Sequence, residues 1–172
     1  MSDFLKAEAG IRQLHAQIVD AVWRKDPAAF GDCFTETAEW RLAGMVLKGR
    51  QEIAAGFARL IGGVERTLMT FRTPVLTVGD GVATGRTYVT EQNAFKDGKP
   101  GSTIGTYWER FEEDDGGRWR CAWRLFQLHY IGPPDLTGTF FEQPDYGPPP
   151  GFPPADAMAA NFSGRGFQAP PA

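Results

Sequence analysis

The sequence predicts an α+β fold in which about three N-terminal helices pack on one face of an antiparallel sheet. Three observations lead to it. Apolar residues recur at helical spacing through the first third of the 172 residues, and from Thr67 the pattern changes to period-2 alternation. Between Gly105 and His129, two aromatic-rich alternating runs flank Asp114-Asp115-Gly116-Gly117, a turn of small and αL-tolerant residues, which is a strong hairpin signal. Helices followed by a run of strands favour segregated layers over a βαβ arrangement.

Each element has a local reason. Over residues 3–25, Leu5, Ile11, Leu14, Ile18, Ala21, Val22 and Trp23 form the apolar stripe of a helix, with His15 read as facing solvent. Asp26-Pro27 starts a short second helix, Asp26 as N-cap and Pro27 at its first position, carrying Phe30, Cys33 and Phe34 inward. Residues 37–42 alternate as a strand. Gly49 introduces a third helix, Arg50 to Ile61, which Gly62-Gly63 ends. Residues 67–78 read as one strand with Pro74 at an edge or bulge, and residues 82–95 as the next. In the hairpin, Tyr107, Glu109 and Phe111 share one face. After the turn, Trp119, Cys121, Trp123, Leu125 and Gln127 alternate with Arg120, Ala122, Arg124, Phe126 and Leu128.

The length suits one domain with a real core. A net charge of -3 with no Lys/Arg cluster argues against nucleic acid and anionic membranes as partners, and no apolar run is long enough to span a bilayer. Two cysteines without CxxC spacing and two separated histidines give no disulfide framework and no metal site. The start of the chain lacks signal-peptide architecture, so the expected location is the cytoplasm. Phosphate-binding, nucleophile-elbow and HExxH motifs are absent. From residue 133 the composition changes: residues 133–172 hold 10 of the 13 prolines, together with Phe140, Phe141, Tyr146, Phe152, Phe162 and Phe167. We read residues 1–132 as the folded domain and 133–172 as an extended arm lying across it or a neighbouring subunit, the aromatics being more than a flexible tail usually carries.

Lys25-Asp26-Pro27, Phe34-Thr-Glu-Thr-Ala-Glu-Trp40, Lys48-Gly49-Arg50, Val78-Gly-Asp-Gly-Val-Ala83, and Gly105-Thr-Tyr-Trp-Glu-Arg-Phe with Arg118-Trp119-Arg120 occur in an order and spacing that resembles the nuclear transport factor 2-like superfamily, SnoaL-like branch, over residues 8–131. That resemblance implies a curved sheet wrapped against the helices as a cone-shaped barrel around one deep apolar pocket. Its catalytic members, among them scytalone dehydratase, ketosteroid isomerase and hexachlorocyclohexane dehydrochlorinase, work without a cofactor; other members only bind or assemble. Carried over residue by residue, the usual acid–base positions fall on apolar groups here. The first-helix Asp of the dehydratases falls on Trp23 and its His partner on Met69 (or Thr70), while the Tyr and Asp of ketosteroid isomerase fall on Ile18 and Leu42.

Two positions keep polar chemistry under the same resemblance. Glu91 takes the place of a second dehydratase His, and Tyr107 that of a neutral hydrogen-bond donor. A carboxylate buried in an apolar cone is pushed towards a base useful near pH 7, and a phenol opposite it can donate to a developing oxyanion. The bland alternatives are a surface carboxylate at a strand end and a core tyrosine. His129 has a free pKa near neutrality and stands either as an acid/base group or as a structural hydrogen-bonding residue. Arg124 interrupts a hydrophobic strand and either points outward or holds an anion in the pocket. Trp23, Trp40, Leu42, Met69 and Ile18 are expected to shape the cavity, whose aromatic walls suit flat ligands.

The resulting expectation is a cofactor-independent lyase or isomerase acting by proton transfer on a hydrophobic, aromatic small molecule, by dehydration, isomerisation or retro-aldol cleavage such as deformylation. Glu91 serves as base or acid, Tyr107 as oxygen-binding donor, and His129 and Arg124 assist. No metal is expected. A dimer or trimer is expected, since such sheets pack on one another. The alternatives are a non-catalytic module binding an apolar metabolite, or an assembly subunit.

Overall fold

A computed structural model describes residues 3–141. Its element order is α1 (Asp3–Arg24), α2 (Pro27–Asp32), β1 (Phe34–Leu42), β2 (Met45–Lys48), α3 (Arg50–Ile61), β3 (Val64–Phe71), β4 (Val75–Gly79), β5 (Val82–Phe95), β6 (Pro100–Glu113), β7 (Trp119–Gly132) and β8 (Thr139–Phe140). The three helices form where the apolar stripes lie, and the short α2 is capped as its sequence demands: Asp26 accepts from the Ala29 amide at 2.9 Å and Pro27 opens the helix. The hairpin turn closes on Asp114, whose Oδ1 accepts from the amides of Gly116 and Arg118, with Gly117 in the left-handed region at φ 78°.

The sheet runs β2-β1-β7-β6-β5-β3, with β4 on β5 and β8 on β7. The chain is thus the expected α+β cone: helices on one face of a curved sheet. One pairing departs from the antiparallel expectation. β1 lies parallel to β7, because the helical excursion through α3 separates β1 from the meander and lets β7 return alongside it in the same direction. A second departure concerns residues 67–78, which form not one strand but two, β3 and β4. Pro74 lies in the break at 72–74, where it has no amide to give to a ladder.

The third departure decides which side chains face the core. A register shift between the pairs Arg110/Trp123 and Phe111/Cys121 places an extra residue in β7. Trp119 and Cys121 therefore face inward, but beyond the bulge it is Arg124, Phe126 and Leu128 that pair with the inward residues Glu109, Tyr107 and Gly105. The period-2 reading holds on either side of the bulge and reverses across it. A second shift at His129 brings Ile131 opposite Thr103.

The core joins Ile11, Leu14 and Ile18 of α1, Phe30 of α2 and Ile53 and Phe57 of α3 to the concave sheet face. Gly105 is one point where this packing leaves no room. A Cβ there would sit 2.4 Å from the Phe126 ring and 2.6 Å from the Gln127 carbonyl oxygen, and the latter is backbone that cannot swing aside. Gly105→Ala is expected to cost about 1–3 kcal/mol, read as a lowered Tm in thermal denaturation.

Among the described residues no helix is long and apolar enough to cross a membrane. The chain leaves β7 at Gly132, turns, and returns as β8, where Phe140 pairs with Tyr130. The rest of the expected arm, with Tyr146, Phe152, Phe162 and Phe167, lies outside the described residues.

Candidate active site

The concave sheet face and the helices enclose a cavity of about 260 Å³. This is near the lower end for small-molecule sites, so it suits a compact ligand. Phe30, Trp40, Phe57, Met69 and Phe126 give it an aromatic and thioether wall. Leu60, Phe95 and Ile131, each 36–40% exposed, form part of the same lining and mark its mouth. The polar side chains that reach it are Thr67, Glu91, Asn93, Thr103 and Tyr107. They come from β3, β5 and β6, and pairing explains their convergence: Glu91 stands opposite Met69 on one side and Thr103 on the other.

Glu91 is the ionisable group of this lining that titrates near neutrality. Burial pushes its carboxyl up from the ordinary 4.5, the charge of Arg124 pulls it back, and it settles at about 7. Tyr107 is raised well above the usual phenol value, first by burial and further by the charges of Glu91 and Glu109, with Arg124 opposing. It therefore stays protonated and available as a donor. Glu91 and Tyr107 line the same cavity from the paired strands β5 and β6.

Arg124 is neither outside nor in the cavity wall. It is fully buried behind Tyr107, its guanidinium carbon 3.8 Å from the centre of the Tyr107 ring and 5.4 Å from that of Phe71. Its Nε lies 2.9 Å from Glu109 Oε1, an ion pair whose angle is poor enough that the guanidinium nitrogens lack a hydrogen-bond partner among the described residues. Glu109 Oε2 meets His15 Nε2 at 3.1 Å and accepts from the Thr87 hydroxyl at 2.9 Å. Burial alone would raise Glu109, but His15, Arg124 and the Thr87 hydroxyl outweigh it and hold the carboxyl at about 2. A permanent cation thus lies against the face of the Tyr107 ring, with a permanent anion paired to it.

Several expectations need correction here. His15 does not face solvent: it is four residues on from Ile11, on the inner face of α1, stacked on Phe71 with ring centres 4.5 Å apart and paired with Glu109. Trp23 does not line the cavity. It is 60% exposed, because one residue is 100° of helix, and Val22 takes the inward place instead. Ile18 is buried in the helix–sheet core and lines no part of the cavity. His129 lies on the convex side of the sheet, bonded through Nε2 to the Thr106 hydroxyl at 2.8 Å, so it does not face the cavity. Trp40, Leu42 and Met69 do line it.

The sequence reading missed Thr67, Asn93 and Thr103. The signal existed in the period-2 phase of β5, since Val89, Glu91, Asn93 and Phe95 share a parity, but register across three strands was needed to use it. Both cysteines are free and buried, and burial pushes the Cys33 thiol up to about 11, which removes it as a nucleophile near neutral pH. No three His, Cys, Asp or Glu side chains come together as a metal site among the described residues.

A cone of helices and curved sheet closed around a small, mostly apolar cavity with a few convergent polar groups defines the class of protein. More particularly, the chain belongs to the SnoaL-like domain family, whose sequence pattern matches residues 3–125. Its fold is similar to that of a hexachlorocyclohexane dehydrochlorinase, LinA type 2, with TM-score 0.70 and 18% identity over 83% of this chain and 97% of that one. A scytalone dehydratase candidate from Novosphingobium aromaticivorans gives 0.70 and 14% over 79% and 93%. A Mycobacterium tuberculosis protein of unknown function gives 0.64 and 25% over 73% and 71%. No curated protein matches the chain in sequence.

Proposed function

We propose that the chain is a lyase or isomerase that moves a proton on a compact, hydrophobic, aromatic small molecule using its own side chains and no cofactor. The observation that carries this reading is a carboxyl of pKa about 7 in the wall of an apolar cavity that is also lined by a phenol which burial keeps protonated. Ionised Glu91 takes a proton from a carbon next to a carbonyl or an aromatic ring. Tyr107 donates to the oxygen on which negative charge accumulates. The protonated Glu91 then returns its proton to carbon, giving isomerisation, or to a departing oxygen, giving dehydration. In retro-aldol cleavage Glu91 instead takes the proton of a β-hydroxyl; the bond between the α and β carbons breaks, the β-carbon leaves as an aldehyde or ketone, and the enolate, its oxygen held by Tyr107, takes the proton back from Glu91 at carbon. Arg124 acts from behind as a positioning residue: its positive charge against the Tyr107 face holds the ring and favours negative charge at the phenol's hydrogen-bond partner.

Tyr107→Phe keeps the ring on Arg124 and removes only the donor. It is expected to lower kcat by about 10²–10³-fold with little change in KM, measured as turnover of aromatic hydroxy-ketones. Unchanged turnover in both Tyr107→Phe and Glu91→Gln would remove the site assignment.

A second reading is favoured by a specific observation. Leu42 and Met69 line the cavity with apolar atoms at positions where the resemblance leads one to expect acid–base groups. In this reading the chain sequesters an apolar metabolite, and a molecule that co-purifies and is returned unchanged supports it. In either case we propose a cytoplasmic homo-oligomer. Its contact would be the convex sheet face, where Trp108 and Trp123 pack on the buried Leu125; sedimentation reads the subunit number.

A further inference from the structure

The cavity carries a polar pair that the acid–base step does not use. Thr67 and Asn93 are cross-strand partners on β3 and β5, and both line the cavity. The Thr67 hydroxyl, itself almost fully buried, donates to Asn93 Oδ1 at 2.8 Å. That bond fixes the amide's orientation and occupies its acceptor, so the Nδ2 hydrogens remain as donors, with no partner among the described residues. Asn is a poor strand former, and here it interrupts a wall otherwise made by Val64, Phe95 and Ile131. Two residues along β5 from Glu91, it stands about 7 Å from the base on the side of Phe95 and the mouth.

We propose that Asn93, held by Thr67, is a second polar subsite that takes a hydrogen-bond-accepting oxygen at the far end of the ligand. The ligand class is then a flat two-ring aromatic oxygenated at both ends: one oxygen lies towards Glu91 and Tyr107, and an ether, carbonyl or hydroxyl oxygen lies under the Asn93 amide. The assignment rests on the cavity being a small-molecule site, as proposed above, but not on its being catalytic.

The test compares 6-methoxy-2-naphthol with 6-ethyl-2-naphthol, which has the same shape without the accepting oxygen. Binding is measured by calorimetry to the full chain carrying Glu91→Gln, in which no proton can be abstracted. The methoxy compound is expected to bind about 2- to 10-fold more tightly, the range one neutral hydrogen bond supplies. Asn93→Leu abolishes that preference. Asn93→Asp keeps the side-chain shape and the Thr67 bond but replaces donor with acceptor, and reverses it. Equal affinity for the two naphthols, absence of binding by both included, or a preference that survives both substitutions, overturns the subsite. If the preference holds while the wild-type chain turns over no aromatic hydroxy-ketone, it is the catalytic reading that fails.

Discussion

Glu91→Gln is expected to lower kcat/KM by about 10²–10⁴-fold, because the amide keeps the volume and polarity of the side chain but cannot take a proton. In the wild-type chain kcat/KM rises with pH as Glu91 ionises, levelling above an apparent pKa of about 7, and this limb is absent from the residual activity of the variant. Stability moves the opposite way. The folded-state pKa lies above the ordinary 4.5, so the folded chain holds the proton more tightly than the unfolded one. The stability associated with protonated Glu91 is fully present below 4.5 and is lost as pH rises through about 7, a change on the order of 3 kcal/mol. Gln does not ionise. The variant should therefore match the wild type at low pH and exceed it above pH 7 in denaturant melts, so that one substitution removes activity and adds stability.

Arg124→Met is expected to be the most destabilising single change in the chain, at about 3–5 kcal/mol. It strips the ion partner from a carboxylate with no access to water. Replacing both members, as Glu109→Leu with Arg124→Met, should cost less than the sum of the single changes, since neither member of that pair is left buried as a charge without the other. Glu109 supplies an acid-side signature. Its folded-state value of about 2 lies below the ordinary 4.5, so its contribution is present above 4.5 and lost as pH falls towards 2. Without Arg124 the carboxyl loses one of the charges that hold it down, and acid unfolding should begin at higher pH. Urea midpoints measured across pH 2–6 read the shift.

The elements were legible in the sequence because each carries its own local signal. The Asp26-Pro27 cap, the α3 stripe ending at Gly62-Gly63 and the Asp114–Gly117 turn all act within a few residues. What was lost depended on phase. A single bulge in β7 exchanges the faces of Trp123 and Arg124, and alternation alone cannot register an inserted residue. The Trp23 expectation failed by one position on a helix, where one position is more than a quarter of a turn. His15, Glu109 and Arg124 come from three distant elements, and a buried charge cluster is read from sequence only when all three are seen to face inward. Glu109 shared a face with Tyr107 and Phe111 in the alternation, so one third of the cluster was on view. Glu91 and Tyr107 were reachable because a family resemblance supplied the register that pattern reading lacks. Thr67, Asn93 and Thr103 had no such guide.

The proposed chemistry depends on an apolar hollow that holds one carboxyl near neutrality. Its most direct test is a carbon-13 NMR titration of the Glu91 side-chain carboxyl in the intact chain, assigned by its loss in Glu91→Gln. The expected midpoint is about 7. A midpoint near the ordinary 4.5 would place that carboxyl in water and contradict it.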